Sequence, residues 1–177
     1  MVEKTSMTEA ELIKACLSND RMAQRALYDK YKKAMYTLAY RITGDFDEAN
    51  DVLQDAFLKV YKGLPNFRAE STLGAWIKTI VIRTAYSKIR KNKVFFESLD
   101  NLNIEEPVDW GDYLAAEYLE KAILNLPEGY RLVFTMVEVE GYSHKEVAQA
   151  LDISVGTSKS QLFYAKRRLR ETLKDFE

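Results

Sequence analysis

Apolar residues recur along most of this chain at steps of three and four, the spacing of helices that bury one side. Thr8 followed by Glu11 makes a capping box, so a first helix is expected from Thr8 to about Ser18. A second runs from Arg21 to Ile42, with Ala26, Leu27, Tyr31, Met35, Leu38 and Ala39 recurring, and Thr43-Gly44-Asp45 ends it. Asp47 sits where an N-cap or first-turn acid belongs, and a third helix follows to Gly63. Its inner face would be Val52, Leu53, Ala56, Phe57, Val60, Tyr61 and Leu64. Pro65 to Thr72 reads as a loop, and a further helix spans about Leu73 to Asn92.

From Val94 to Trp110 the periodicity fades, and acids, Asn and Pro107 accumulate in what reads as a linker. Helical patterning resumes at Asp112 and stops at Leu126, because Pro127 biases the residue before it away from helix. Pro127 suits the first position of the next helix, which Gly141 would end. Ser143 and Glu146 form a second capping box before a short helix with Val147, Ala148 and Leu151 inside. Asp152-Ile153 makes a turn, and Ser154 caps a longer helix with Leu162, Ala165 and Leu169 on one face. A short helix, a turn and a longer basic helix is the helix-turn-helix pattern. On its outer face lie Lys159, Ser160, Phe163 and Arg167, with Gly156 nearby, residue types that reach phosphates, base edges or a thymine methyl.

Composition agrees with an all-α fold of two small domains. The 177 residues hold 7 Gly and 3 Pro, too few for the turns of an all-β protein. One cysteine, Cys16, excludes an internal disulfide, and one histidine, His144, leaves too few soft ligands for a zinc centre. No catalytic residue, metal or cofactor is expected. No apolar run approaches a membrane span, and the first residues are unlike a signal peptide, so a soluble, cytoplasmic protein is expected.

The net charge of −1 hides segregation. Lys78, Arg83, Lys88, Arg90, Lys91 and Lys93 are followed by Glu97, Asp100, Glu105, Glu106, Asp109 and Asp112, and the end is basic again. Two basic patches flanking an acidic spacer suit a nucleic-acid binder better than the average suggests.

The runs 126–134, 140–143, 146–148 and 154–157, with Lys159-Ser160 and Ala165-Lys166-Arg167-Arg168-Leu169, resemble region 4 of bacterial extracytoplasmic-function (ECF) sigma factors. Asp47-Glu48-Ala49 and 51–60 resemble region 2.2, and 67–71 with 76–80 resemble the segment that recognises and melts the −10 element. The resemblance implies domains at 1–93 and 113–177 joined by a linker at 94–112. It implies core RNA polymerase, promoter DNA and an anti-sigma factor as partners, and neither a membrane nor a small-molecule substrate. The polymerase face would be Asp51, Gln54, Asp55, Leu58 and Lys62. The −10 set would be Phe67, Arg68, Glu70, Ser71, Thr79, Arg83, Tyr86 and Arg90; the −35 set, Gly156, Thr157, Lys159, Ser160, Phe163, Tyr164 and Arg167. Arg83, Ser158, Gln161 and Tyr164 depart from the family pattern, the last two by removing positive charge from the −35 face.

Three rivals stand beside this reading, one of them an interaction protein related to sigma factors that has lost promoter activity, as the missing basic residues at Gln161 and Tyr164 would allow. A free-standing dimeric helix-turn-helix regulator would bind a palindromic operator. A metal-dependent nucleotide hydrolase would use the acids at 45–55.

Overall fold

The free amides at each helix start decide where this fold begins its elements. The computed structural model describes residues 7–92 and 116–174. Helix α1 (Glu9–Leu17) starts at the Thr8 box: Thr8 Oγ1 accepts from the Glu11 amide at 3.3 Å, and the Thr8 amide donates to Glu11 at 2.8 Å. In α2 (Arg21–Thr43), Asp20 accepts from the Met22 and Ala23 amides, and Gly44 stops the helix in the left-handed region at φ 73. Asp45 then caps α3 (Phe46–Gly63), accepting from the Asp47 and Glu48 amides at 2.9 Å each. Asp47 is therefore a first-turn acid, and the cap lies two residues earlier.

A 3₁₀ turn at Leu64–Asn66 opens the expected loop, which leads into α4 (Leu73–Asn92). Beyond the linker, which lies outside the described residues with the boundaries drawn at 93 and 113, come α5 (Ala116–Leu124) and α6 (Glu128–Phe134). Pro127 is the N-cap of α6 and not its first turn. The chain continues from α6 through a π-helical turn at Thr135–Val139 before Gly141, at φ 75, breaks it. Helices α7 (His144–Leu151) and α8 (Val155–Lys174) flank a turn in which Asp152 takes the left-handed conformation. Among the described residues there is no strand, and no helix is long and apolar enough to cross a membrane.

Helices α2, α3 and α4 pack together over Leu27, Ile42, Val52, Val60, Ile77 and Val81, all essentially inaccessible, and α1 lies against α2 through Leu12 and Cys16. Each such aliphatic side chain contributes roughly 1.5–3 kcal/mol of burial. The second unit closes α5, α6 and α7 around α8 over Leu132, Met136, Leu151 and Leu169.

The two units dock. Helix α2 packs against α6, and α4 against α7. The joint is Arg131, 5% exposed, whose Nε donates to the Ile42 carbonyl at 2.9 Å and whose Nη2 donates to that of Thr43 at 2.6 Å. Its Nη1 donates within its own unit, to Leu126 at 3.1 Å and Leu124 at 2.5 Å. One guanidinium thus satisfies carbonyls at the ends of two helices, placing a cation at the negative end of α2. Burial lowers its pKa, and the nearby Glu128, Glu48 and Tyr40 act in the opposite sense. A Cβ at Gly44 would sit 3.1 Å from the guanidinium atoms, so the residue that ends α2 also makes room for the joint.

Candidate nucleic-acid interface

The α7–turn–α8 unit is held by local polar contacts. Ser143 caps α7 in the expected box with Glu146, and the Thr157 amide donates to Ser154 Oγ at 2.8 Å at the start of α8. A further contact ties the two helices: His144 Nδ1 lies 2.9 Å from Ser158 Oγ, and Ser158 is fully buried. Sequence reasoning put Ser158 on the core side but left it without a partner; a hydroxyl one helix away from a histidine is the signal that could have paired them.

The outer face of α8 is a stripe of Gly156, Lys159, Phe163 and Arg167, exposed except for a half-buried Phe163. Thr157 is half-buried at the helix start, and Arg167 pairs with Glu171 at 3.1 Å. Phe163 meets Tyr164 edge-on at 5.4 Å, while Tyr164 stacks on Tyr130 of α6 at 5.9 Å. Ser160 does not join the stripe. It is 3% exposed and its hydroxyl donates to the Thr157 carbonyl at 3.0 Å, because α8 is covered by α5 and α6 as well as α7. Gln161 is also buried and does not join the outer face.

On α3, Asp51, Gln54, Asp55, Leu58 and Lys62 share one exposed side, and Leu58 is 60% exposed among polar neighbours. Asp51 accepts from Lys88 of α4 at 2.7 Å. Among the described residues, no three His, Cys, Asp or Glu side chains converge as metal ligands.

The loop before α4 exposes Arg68, Glu70 and Ser71, with Ala69 between them in the left-handed region at φ 55. Arg68 and Glu70 are 3.9 Å apart at the surface. Phe67 is half-buried against Trp76, ring centroids 5.1 Å apart. Along α4, Arg83 and Arg90 are exposed, and half-buried Thr79 donates back to Ala75. Tyr86 differs from that stripe: it is 8% exposed on the helix that α7 packs against. Burial raises its pKa, Asp152 of the α7–α8 turn adds to the rise, and Arg90 opposes it. The docking of the second unit hides what a single-helix wheel places outside.

These geometries can be compared with known proteins. Residues 27–94 match the family described as Sigma-70 region 2, and residues 116–169 match Sigma-70, region 4. The chain is 29% identical to RNA polymerase sigma-H factor of Pseudomonas aeruginosa, covering 96% of this chain and 95% of that one. It is 26% identical to the ECF RNA polymerase sigma factor SigW of Bacillus subtilis, covering 92% and 95%. Among solved structures it resembles the sigma factor RpoE of Bartonella quintana, crystallised with the anti-sigma factor NepR. That match has 27% identity and a TM-score of 0.59, covering 85% of this chain and 96% of that one. The fold is also that of CnrH, solved with the cytosolic domain of CnrY, at 18% identity and a TM-score of 0.56.

Proposed function

The chain belongs to the ECF sigma factors and directs promoter-specific transcription initiation with RNA polymerase; from that premise we propose how its faces divide the work. The α8 stripe of Gly156, Lys159, Phe163 and Arg167 enters the major groove at the −35 element. Lys159 and Arg167 meet phosphates or base edges, and Phe163 offers an apolar contact to a thymine methyl. Thr157 at the helix start adds a hydroxyl, while Tyr164 acts by bracing Phe163. The observation that carries this reading is the doubly capped α7–turn–α8 unit with its basic helix facing outward.

The loop residues Arg68, Glu70 and Ser71 read a base extruded from the −10 element, with Phe67 and Trp76 as the wall behind it. Arg83, Arg90 and Thr79 follow the strand along α4. The α3 face of Asp51, Gln54, Asp55, Leu58 and Lys62 docks on core polymerase, a small apolar centre within a charged rim. An anti-sigma factor competes for these faces, in a cytoplasmic setting. The chain supplies address and strand separation, and the polymerase supplies the bond chemistry.

The test is capture by the cognate core polymerase, followed by run-off transcription on a fragmented genomic library. Stoichiometric capture with new, discrete start sites supports the reading and yields both promoter elements. Absence of capture at low salt overturns it.

A further inference from the structure

A cleft of about 480 Å³ lies where α2 and α4 meet the second unit. Lys30, Lys33 and Arg41 line it from α2, Lys78 from α4, and Met35 and Leu38 form part of its floor. The α2 cations fall at steps of three and eight, with Thr37 between them, so they share one side of the helix over roughly 16 Å at 1.5 Å per residue. One acid enters: Glu140, from the segment after the π turn of the second unit, paired with Lys78 at 2.5 Å with its side chain 13% exposed. Among the described residues Lys33 and Arg41 have no acidic partner, and Lys30 has only Glu9 at 3.5 Å. Four cations against two carboxylates, with Lys33 and Arg41 unmatched among the described residues, is a surplus in search of anions.

We propose that this cleft binds the phosphates of a nucleic-acid strand, and that Glu140 occupies part of it while the two units are docked. The proposal rests on the sigma-factor reading and extends it to residues outside the −10 and −35 sets. The row favours a strand over a compact anion. A strand presents one charge per nucleotide along its length, whereas a small polyphosphate would neutralise only the cations clustered around it. Glu140 is then a competitor built into the chain: a strand taking Lys78 must displace a carboxylate belonging to the second unit, so strand binding and docking oppose each other through one side chain.

The experiment is fluorescence anisotropy of a labelled single-stranded DNA oligonucleotide with the full chain across a salt series. Glu140→Gln is expected to tighten binding about fivefold, since the amide keeps the shape and gives up the charge. Lys33→Ala with Arg41→Ala should weaken binding about tenfold or more and reduce the log–log salt slope by roughly 1.4, about 0.7 for each lost phosphate contact. Lys33→Gln with Arg41→Gln repeats the test with side-chain bulk retained, and an unchanged thermal midpoint shows that the fold is intact. An unchanged salt slope in both double variants overturns the proposal, as does unchanged affinity in Glu140→Gln. Inorganic triphosphate that competes as strongly as the oligonucleotide, phosphate for phosphate, assigns the cleft to small anions and also overturns it. Polymerase capture is measured on the same samples: its retention beside a failed cleft test leaves the sigma reading standing, and its loss in the parent chain identifies the reading as the failure.

Discussion

Replacing Arg131 by methionine removes a guanidinium while keeping an unbranched side chain in its slot. Four carbonyls lose their donor, those of Ile42 and Thr43 across the joint and those of Leu124 and Leu126 within the second unit. A hydrogen bond from a charged donor contributes roughly 1.5–3 kcal/mol, but the Ile42 and Thr43 carbonyls regain water if the units part. The net loss across the joint is therefore about 2–3 kcal/mol, a shift of roughly 30- to 150-fold in the docking equilibrium. Spin labels at the exposed positions 50 and 168, in a Cys16→Ser background, report this as a second, longer distance population. Arg131→Lys should fall between the two, because an ammonium keeps the charge but cannot present the planar fork. The second unit should also melt earlier, since its own two carbonyls are orphaned. A distance distribution identical in parent and methionine variant would refute the reasoning, because the joint would then not depend on its most buried cation.

Other expectations follow from the faces. Asp51→Ala with Leu58→Ala should weaken polymerase binding about tenfold with little change in thermal midpoint, since both side chains are exposed; a large loss of stability with unchanged affinity refutes the α3 assignment. Lys159→Ala should cost about 1–3 kcal/mol of −35-dependent binding, whereas Ser160→Ala should leave promoter preference unchanged; footprinting in which Ser160→Ala alters the −35 preference reverses their placement. His144, the one histidine, has its pKa pushed below 6.5 by burial first and then by Lys159 and Lys166. The unfolded chain therefore takes up the proton first: its stability contribution is complete above about pH 6.5 and declines as pH falls through the folded pKa. His144→Gln should flatten thermal midpoints between about pH 7 and pH 5, above the main carboxylate range, and parallel pH curves for parent and variant count against it.

Helix starts were legible because capping is local: Thr8 with Glu11 and Ser143 with Glu146 lie within one turn, and the structure makes both boxes. Asp45 and Asp47 were harder to separate, since both stand at the mouth of α3 and only backbone conformation distinguishes a cap from a first-turn acid. The outward sides of α3 and α8 followed from periodicity, which gives an angle around one helix. It does not say how wide the buried arc is. Ser160 lies inside because three helices cover α8, and Tyr86 because α7 arrives from the other unit. Arg131 was visible only as a letter in a motif; its partners Ile42 and Thr43 stand 89 and 88 positions away. Such a pairing has no periodic signature.

The turn Thr43-Gly44-Asp45 looks like a place where a chain could be cut or lengthened, since Gly44 and Asp45 are exposed between two helices. Loop tips of that kind ordinarily accept insertions, because closing a longer loop costs little extra entropy. Here three consecutive residues give a carbonyl to Arg131, a left-handed stop to α2 and the cap of α3. An added residue would displace at least one of these, so this turn should have a fixed length. The loop at Arg68–Ser71, whose side chains face solvent, should accept extra residues without unfolding the chain. Two surface loops of similar exposure thus set opposite limits on where tags, probes or new sequence can be introduced.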